Sequence, residues 1–130
     1  MKQIFAAAIA GTILSLGATL ALAQMAEPAK VAETSKGKIL VDAKGMTLYT
    51  WDRDTTPGKS GCNGNCATNW PPLLASADAK DSGNWTVITR DDGKKQWAYK
   101  GKPLYYWKDD KKAGDAEGDN RNNVWHVVAP

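Results

Sequence analysis

The chain has 130 residues, with 17 Lys and Arg, 14 Asp and Glu, one His and a formal net charge of +3. Its charges are interspersed and form no basic stripe, which argues against a nucleic-acid partner and against a polybasic membrane patch. Six tryptophans are a high number for this length, and most of them are expected to pack in the core because an indole buries a large apolar area.

Residues 1–23 have the organisation of a secretory signal peptide. Lys2 precedes an almost continuous apolar stretch over 4–22, and Ala21-Leu22-Ala23 forms a small-x-small cleavage site before Gln24. The alternative is a membrane-anchoring helix. No cysteine lies near the cut, so a lipid anchor has no attachment point. Cleavage leaves 107 residues, with 16 basic and 14 acidic side chains, enough for one domain with a single core.

Residues 24–37 have low hydrophobicity and no usable period, which predicts a flexible leader. From residue 38 onward, short apolar or β-branched runs alternate with Gly, Asp and Asn, a pattern typical of β-strands. The predicted strands lie near 38–42, 46–51, 85–90, 95–99, 103–107 and 124–128.

Three short segments predict hairpin turns: Ala43-Lys44-Gly45, Asp92-Gly93 and Lys100-Gly101. Asp-Gly favours the positive φ angles of a type I′ turn, and a Gly after Lys supplies a left-handed position. We therefore expect a three-stranded meander over 85–107 and a hairpin over 38–51.

An internal repeat is the strongest signal in the chain. Gly45, Leu48, Tyr49, Trp51, Asp54 and Gly58 recur 56 positions later as Gly101, Leu104, Tyr105, Trp107, Asp110 and Gly114. A repeat of this kind is one supersecondary unit used twice. We predict an all-β domain over 38–128, built from two similar hairpin-plus-loop repeats (about 38–75 and 94–128), closed into a small barrel or sandwich with short helical turns in its loops.

Cys62 and Cys66 are the only cysteines, and both lie in the loop of the first repeat. A disulfide is the default interpretation in an exported chain, and a helical turn beginning near Asn65 would bring the two Cα atoms within bonding range. A redox-active pair is the alternative. Zinc is disfavoured because the chain has a single His, and the Cys-x-x-Cys-His sequence of haem attachment is absent.

The repeated aromatic and acidic residues are the candidate ligand site. In each copy a Tyr and a Trp two positions apart point to one face of a strand, and an Asp follows three residues after the Trp. The candidates are Tyr49, Trp51, Asp54, Tyr105, Trp107 and Asp110. They are either core aromatics with turn-forming carboxylates, or two amphipathic pockets that stack on a sugar, an aromatic ligand or a cation. Burial of all four rings would exclude the pockets.

His126 and the acidic loop residues are weaker candidates. His126 alternates along a predicted strand, and we expect it to be partly buried and hydrogen-bonded to the backbone. The acids between 109 and 119 are interleaved with Lys111, Lys112 and Arg121, which would oppose a divalent ion. No Ser or Cys stands in a recognisable nucleophile context, so no catalytic residues are predicted.

The motifs Tyr49-x-Trp51-x-x-Asp54 and Tyr105-x-Trp107-x-x-Asp110 resemble those of a bacterial family of predicted secreted repeat lipoproteins with a Tyr-x-aromatic-x-x-Asp motif. The segments 62–67, 70–73 and 124–128 are similar to the family's other recurring segments. The chain lacks the lipobox Cys of the lipoprotein members, which favours a soluble periplasmic form. The resemblance implies no established activity.

We therefore expect an exported, periplasmic, non-enzymatic binding or envelope-associated module. It would be monomeric, without a cofactor, a nucleic-acid partner or a stable membrane anchor, and its partner would be a small molecule or an envelope component. One alternative is a periplasmic redox or oxidant-stress protein that uses Cys62 and Cys66. A weaker alternative is metal or haem-related binding through His126 and the loop acids.

Overall fold

The computed structural model describes residues 27–130, so the predicted signal peptide lies outside the described residues. The strands are β1 (Lys30–Thr34), β2 (Gly37–Val41), β3 (Tyr49–Trp51), β4 (Trp85–Thr89), β5 (Lys95–Tyr99), β6 (Lys102–Pro103) and β7 (Trp125–Val127). A short α-helix, α1, covers Asn65–Asn69, and a 3-10 turn covers Arg121–Asn123. The prediction of an all-β fold with helical turns in its loops is confirmed.

The strands form three small antiparallel sheets, β1-β2, β3-β7 and β4-β5-β6. Over 27–130 these sheets do not close into a barrel, and the arrangement is compatible with the sandwich alternative. The meander predicted over 85–107 corresponds to β4-β5-β6. Its second turn has positive φ at both Lys100 (51°) and Gly101 (85°), as a type I′ hairpin requires.

Strand β1 lies within the segment that was predicted to be a leader. It pairs with β2, with Lys30 opposite Val41 and Thr34 opposite Gly37. Most β1 side chains are exposed, because backbone hydrogen bonds to β2, and not burial, hold this strand in place. A strand of this kind has no apolar alternation, so hydrophobic patterning does not detect it. Residues 30–37 belong to the domain.

The two repeats meet at Tyr49 and Tyr105. The N–H of Tyr49 donates to the carbonyl of Tyr105 (2.8 Å), and the N–H of Tyr105 donates to the carbonyl of Tyr49 (2.9 Å). Two residues that exchange both hydrogen bonds in an antiparallel pair are related by a local two-fold axis. Because these two tyrosines are equivalent in the repeat, the axis relates one repeat to the other.

The apolar core has two parts, one on each side of this central pair. The first contains Leu48 and Leu104, and the second contains Tyr49 and Tyr105. Strand alternation predicted this separation of neighbouring residues onto opposite faces. The remaining buried members of the first part are Ala29, Leu40, Leu73 and Trp85, and those of the second are Cys62, Trp70, Trp107 and Trp125.

Cys62 and Cys66 form the predicted disulfide, with their Cα atoms 5.1 Å apart. Cys62 is fully buried in the second part of the core, whereas Cys66 lies on α1 and is half-buried. The bridge therefore attaches α1 to the aromatic side of the core and shapes the long loop after β3.

Replacing both cysteines by Ala should lower the free energy of unfolding by about 2 kcal/mol, the value expected from loop-closure entropy for so short a ring. Urea unfolding followed by far-UV circular dichroism measures the change. A double variant that does not fold at all would contradict this expectation and would make the bridge essential to the domain.

Candidate functional site

The two tyrosine hydroxyls form hydrogen bonds that cross between the repeats. Tyr49 donates to Oδ2 of Asp110 (2.6 Å), and Tyr105 donates to Oδ2 of Asp54 (2.5 Å). Each tyrosine thus binds the aspartate of the other copy. Both tyrosines are fully buried, so a ligand from solvent cannot stack on their rings in this structure.

Each of these aspartates uses both carboxylate oxygens. Oδ1 of Asp54 accepts the N–H of Gly61 (2.7 Å), and Oδ1 of Asp110 accepts the N–H of Glu117 (2.8 Å). Burial raises the pKa of both carboxyls above the ordinary value, and the hydroxyl and N–H donors partly oppose this shift. Burial and the hydrogen bond to Asp110 also raise the pKa of Tyr49. The hydroxyls therefore keep their protons and act as donors at neutral pH.

The first repeat extends this network to a buried arginine. Ser60 Oγ lies 2.6 Å from the hydroxyl of Tyr105, and Arg90 Nη1 donates to the same Ser60 Oγ (3.0 Å). The guanidinium also donates to Oε1 of Gln96 (2.8 Å) and to the carbonyl of Cys62 (2.6 Å). Arg90 is only 4% exposed, so these acceptors replace part of the water that the cation loses, while its Nε has no hydrogen-bond partner within 27–130. Ala116 occupies the position equivalent to Ser60 in the repeat, so the second copy lacks this extension.

Four indoles stack in one continuous series. Trp51 stacks on Trp125 with ring centroids 5.2 Å apart, Trp125 on Trp70 at 3.8 Å, and Trp70 packs against Trp107 at 4.3 Å. The inner pair is nearly parallel, with an interplanar angle of 4°. Trp51 and Trp107 are equivalent in the repeat, and Trp70 corresponds to Trp125 when a one-residue difference in loop length is allowed for. The local two-fold axis therefore also relates the two halves of this indole stack.

The tyrosines contact the inner indoles edge-on. Tyr49 meets Trp70 at 5.4 Å and 79°, and Tyr105 meets Trp125 at 5.3 Å and 90°. Edge-to-face contacts of this kind are favourable for aromatic rings. The stack and the crossed hydrogen bonds thus form one buried unit.

The 56-residue spacing of the repeat does not pair Trp70 with Trp125. Their spacing is 55, not 56, because the second loop is one residue shorter than the first between Gly58 and Trp70. One deletion after the Gly58/Gly114 pair aligns the two tryptophans.

The two ends of the indole stack differ. Trp107 is 8% exposed, and the guanidinium of Arg121 lies 4.4 Å from its ring centroid, within the range of a cation–π contact. Trp51 is half-buried and borders an open groove of about 380 Å³. The groove is lined by Trp51, Arg53, Cys66, Asn69, Trp70, Asn122, Val124 and Trp125.

His126 and the acidic loop residues do not converge on a common centre. His126 Nε2 lies 2.8 Å from Oδ2 of Asp52, and Nδ1 lies 3.2 Å from Oδ1 of Asn120. It therefore contacts side chains and not the predicted backbone partner. Asp115 accepts the N–H groups of Lys111 and Lys112, so it stabilises its own loop. Over 27–130, no group of three or more His, Cys, Asp and Glu side chains is placed to hold a metal ion.

Comparison with known families identifies the repeat. A family described as a secreted repeat of unknown function matches the chain at residues 30–74 and again at 86–129, which confirms the resemblance inferred from the sequence. The first match includes β1, in agreement with the structure. No curated protein and no solved structure matches the chain. In the part of the chain that the structure describes, no helix has the length and apolar character needed to cross a membrane.

A double-mutant cycle should detect the crossed hydrogen bonds. Tyr49→Phe and Asp110→Ala remove two partners from different repeats, and we expect a coupling energy of about 0.5–3 kcal/mol in urea unfolding, as for other residues in direct contact. Tyr49→Phe combined with Asp54→Ala, its aspartate within the same repeat, is the matched control and should be additive to within about 0.5 kcal/mol. Coupling within a repeat and additivity across repeats would refute the crossed arrangement.

Gly118 should be essential to the close packing of the indole stack. A Cβ atom at this position would lie 2.8 Å from Cη2 of Trp70 and 3.0 Å from Cβ of Trp107. Gly118→Ala should therefore lower stability by about 1–3 kcal/mol through overpacking and weaken the near-UV circular dichroism of the indoles. Gly61→Ala is the control, because its Cβ would meet Asp54 and Trp51 at ordinary distances of 3.5 and 3.6 Å. Equal effects of both variants would contradict the packing argument.

Proposed function

We propose that the protein, which belongs to the family of secreted repeats of unknown function, is a periplasmic binding module without catalytic activity. Its ligand would occupy the groove beside Trp51. Of the six candidate residues predicted from the sequence, only Trp51 lines this groove. Tyr49 and Tyr105 are fully buried, so the other residues of the proposed site are those that line the groove.

The lining of the groove is the observation that carries the proposal. Its apolar part comes from the half-buried Trp51 and from Val124, with small contributions from Trp70 and Trp125, which are 6% and 3% exposed. Asn69 and Asn122 add amides that both donate and accept hydrogen bonds. A volume of about 380 Å³ is within the usual range for small-molecule sites.

This chemistry favours a sugar ring or an aromatic ring that bears polar groups. Such a ligand has an apolar surface for the indoles and polar edges for the amides. A simple cation is disfavoured because Arg53 lines the same groove. The fragments of a cell-envelope glycan combine these features and would be encountered by a periplasmic protein.

The same lining supports a non-enzymatic role. Among the groove residues, all of which lie in the described part of the chain, no carboxylate, imidazole or hydroxyl is present. General acid or base catalysis needs such a group within reach of the substrate. The disulfide also borders the groove, through Cys66, but Cys62 is fully buried, which does not favour it as a centre of thiol exchange.

Titration with peptidoglycan fragments, neutral oligosaccharides and small aromatic compounds tests the proposal. We expect saturable binding by calorimetry with a change in Trp fluorescence. Trp51→Ala should weaken binding by roughly tenfold or more, as for a buried aromatic contact. Because Trp51 also packs on Trp125, Asn69→Ala and Arg53→Ala provide independent variants at exposed positions, and both should weaken binding without loss of stability.

Arg121→Ala is the matched control for Arg53→Ala, since it removes the same charge at the opposite end of the indole stack. It should leave affinity unchanged. Absence of binding across the whole panel, or equal loss of affinity in both arginine variants, would overturn the assignment of the groove.

A further inference from the structure

We propose that the indole stack and its two carboxylate-bonded tyrosines form an internal path for one-electron oxidation, which ends as a neutral tyrosyl radical in the core. This activity goes beyond ligand binding and does not depend on a ligand in the groove. It uses the aromatic side chains and not the cysteines.

The path has an entry at one end. Trp51 is the half-buried member of the stack, whereas Trp70, Trp107 and Trp125 are at most 8% exposed. A one-electron oxidant in solution therefore reaches Trp51 more readily than the other three indoles. Indole is among the most easily oxidised side chains, so removal of one electron from Trp51 is the reasonable first step.

Direct ring contacts continue the path inward. From Trp51 the next ring is Trp125, at 5.2 Å, and from Trp125 the path reaches Tyr105 at 5.3 Å or Trp70 at 3.8 Å. Trp70 in turn contacts Tyr49 at 5.4 Å. No aliphatic side chain needs to be crossed, so each electron step joins two aromatic rings in contact.

The tyrosines are placed to end the path because each has a proton acceptor. Oxidation of a phenol at neutral pH requires loss of its proton, and both rings are fully buried from water. Asp110 lies 2.6 Å from the Tyr49 hydroxyl and Asp54 lies 2.5 Å from that of Tyr105. Burial raises the pKa of both carboxyls, which makes each a better base than an exposed aspartate.

Trp107 has no such acceptor. Its Nε1 is buried and has no hydrogen-bond partner within 27–130. An oxidised Trp107 therefore has no side chain to which it can release the indole proton, and the oxidation is expected to move on to Tyr49 through Trp70.

The step balances in electrons and protons. An external one-electron oxidant takes one electron from Trp51 and is itself reduced. Each oxidised ring then takes an electron from the next ring of the path, until the missing electron is that of Tyr49 or Tyr105. The phenolic O–H bond breaks and an O–H bond forms on Oδ2 of Asp110 or Asp54. A small one-electron reductant, such as an enediol, restores the phenol by returning one electron while the carboxyl returns the proton.

Pulse radiolysis with azide radical as the oxidant tests this path in the mature chain. We expect the absorption of the tryptophanyl radical to decay as that of the tyrosyl radical rises, in a first-order process independent of protein concentration. Trp97 is also half-buried and contacts Tyr99 through Trp85, so all chains compared carry Tyr99→Phe. In this background the combined variant Tyr49→Phe and Tyr105→Phe should lose the conversion. Asp54→Asn with Asp110→Asn should slow it and abolish its solvent isotope effect, a readout that a purely structural role of the carboxylates would not move.

Tyr106→Phe is the matched control. The Tyr106 hydroxyl also donates to a carboxylate, Asp42, at 2.8 Å, but its ring packs against the first part of the core and not against the indole stack. In this variant the tryptophanyl radical should convert to the tyrosyl radical at the same rate as in the parent protein. Unchanged conversion in the Tyr49/Tyr105 variant, equal loss in Tyr106→Phe, or a radical that stays on tryptophan in the parent protein would overturn the proposal.

Discussion

The reciprocal backbone pairing of Tyr49 with Tyr105 determines most of the structure. Because these two equivalent residues lie opposite each other, a local two-fold axis relates the two repeats at this pair. Each tyrosine hydroxyl then finds its acceptor in the other repeat, on Asp110 or Asp54. A single repeat would bury a hydroxyl without that partner, at an expected cost of about 1–3 kcal/mol. The two repeats therefore depend on each other and form one core.

The sequence predicts the repeated elements well but not their partners. Strand alternation correctly separates Leu48 from Tyr49, because this depends only on local geometry. Tyr49 and Asp54 are close in sequence, which suggests a bond within one copy, yet Tyr49 binds Asp110. Only the antiparallel approach of the two copies decides that choice. Hydrophobic patterning does not predict strand β1 for a similar reason. Its pairing with β2 depends on backbone hydrogen bonds, which leave no pattern in the side chains.

The differences between the repeats break the symmetry at specific atoms. Ser60, where the second copy has alanine, brings the buried cation of Arg90 into contact with the Tyr105 network. Gly118, where the first copy has Cys62, removes the Cβ that would collide with Trp70. These substitutions leave the indole stack continuous but give its two ends different surroundings. A groove is present beside Trp51, whereas a guanidinium covers Trp107.

The hydrogen bonds of the two aspartates explain why carboxylates occupy these positions, but they do not explain why so many aromatic rings surround them. Each carboxylate accepts a hydroxyl on one oxygen and an N–H on the other, which a neutral amide with one acceptor oxygen could not do. Aliphatic side chains could also bury apolar area between the repeats, although aromatic pairs in contact add about 0.5–1.5 kcal/mol beyond the area that they bury. Instead, unbroken ring contacts join the half-buried Trp51 to both tyrosines. Stability accounts for each contact taken singly, and the proposed electron path rests on their continuity from the half-buried Trp51 to both tyrosines.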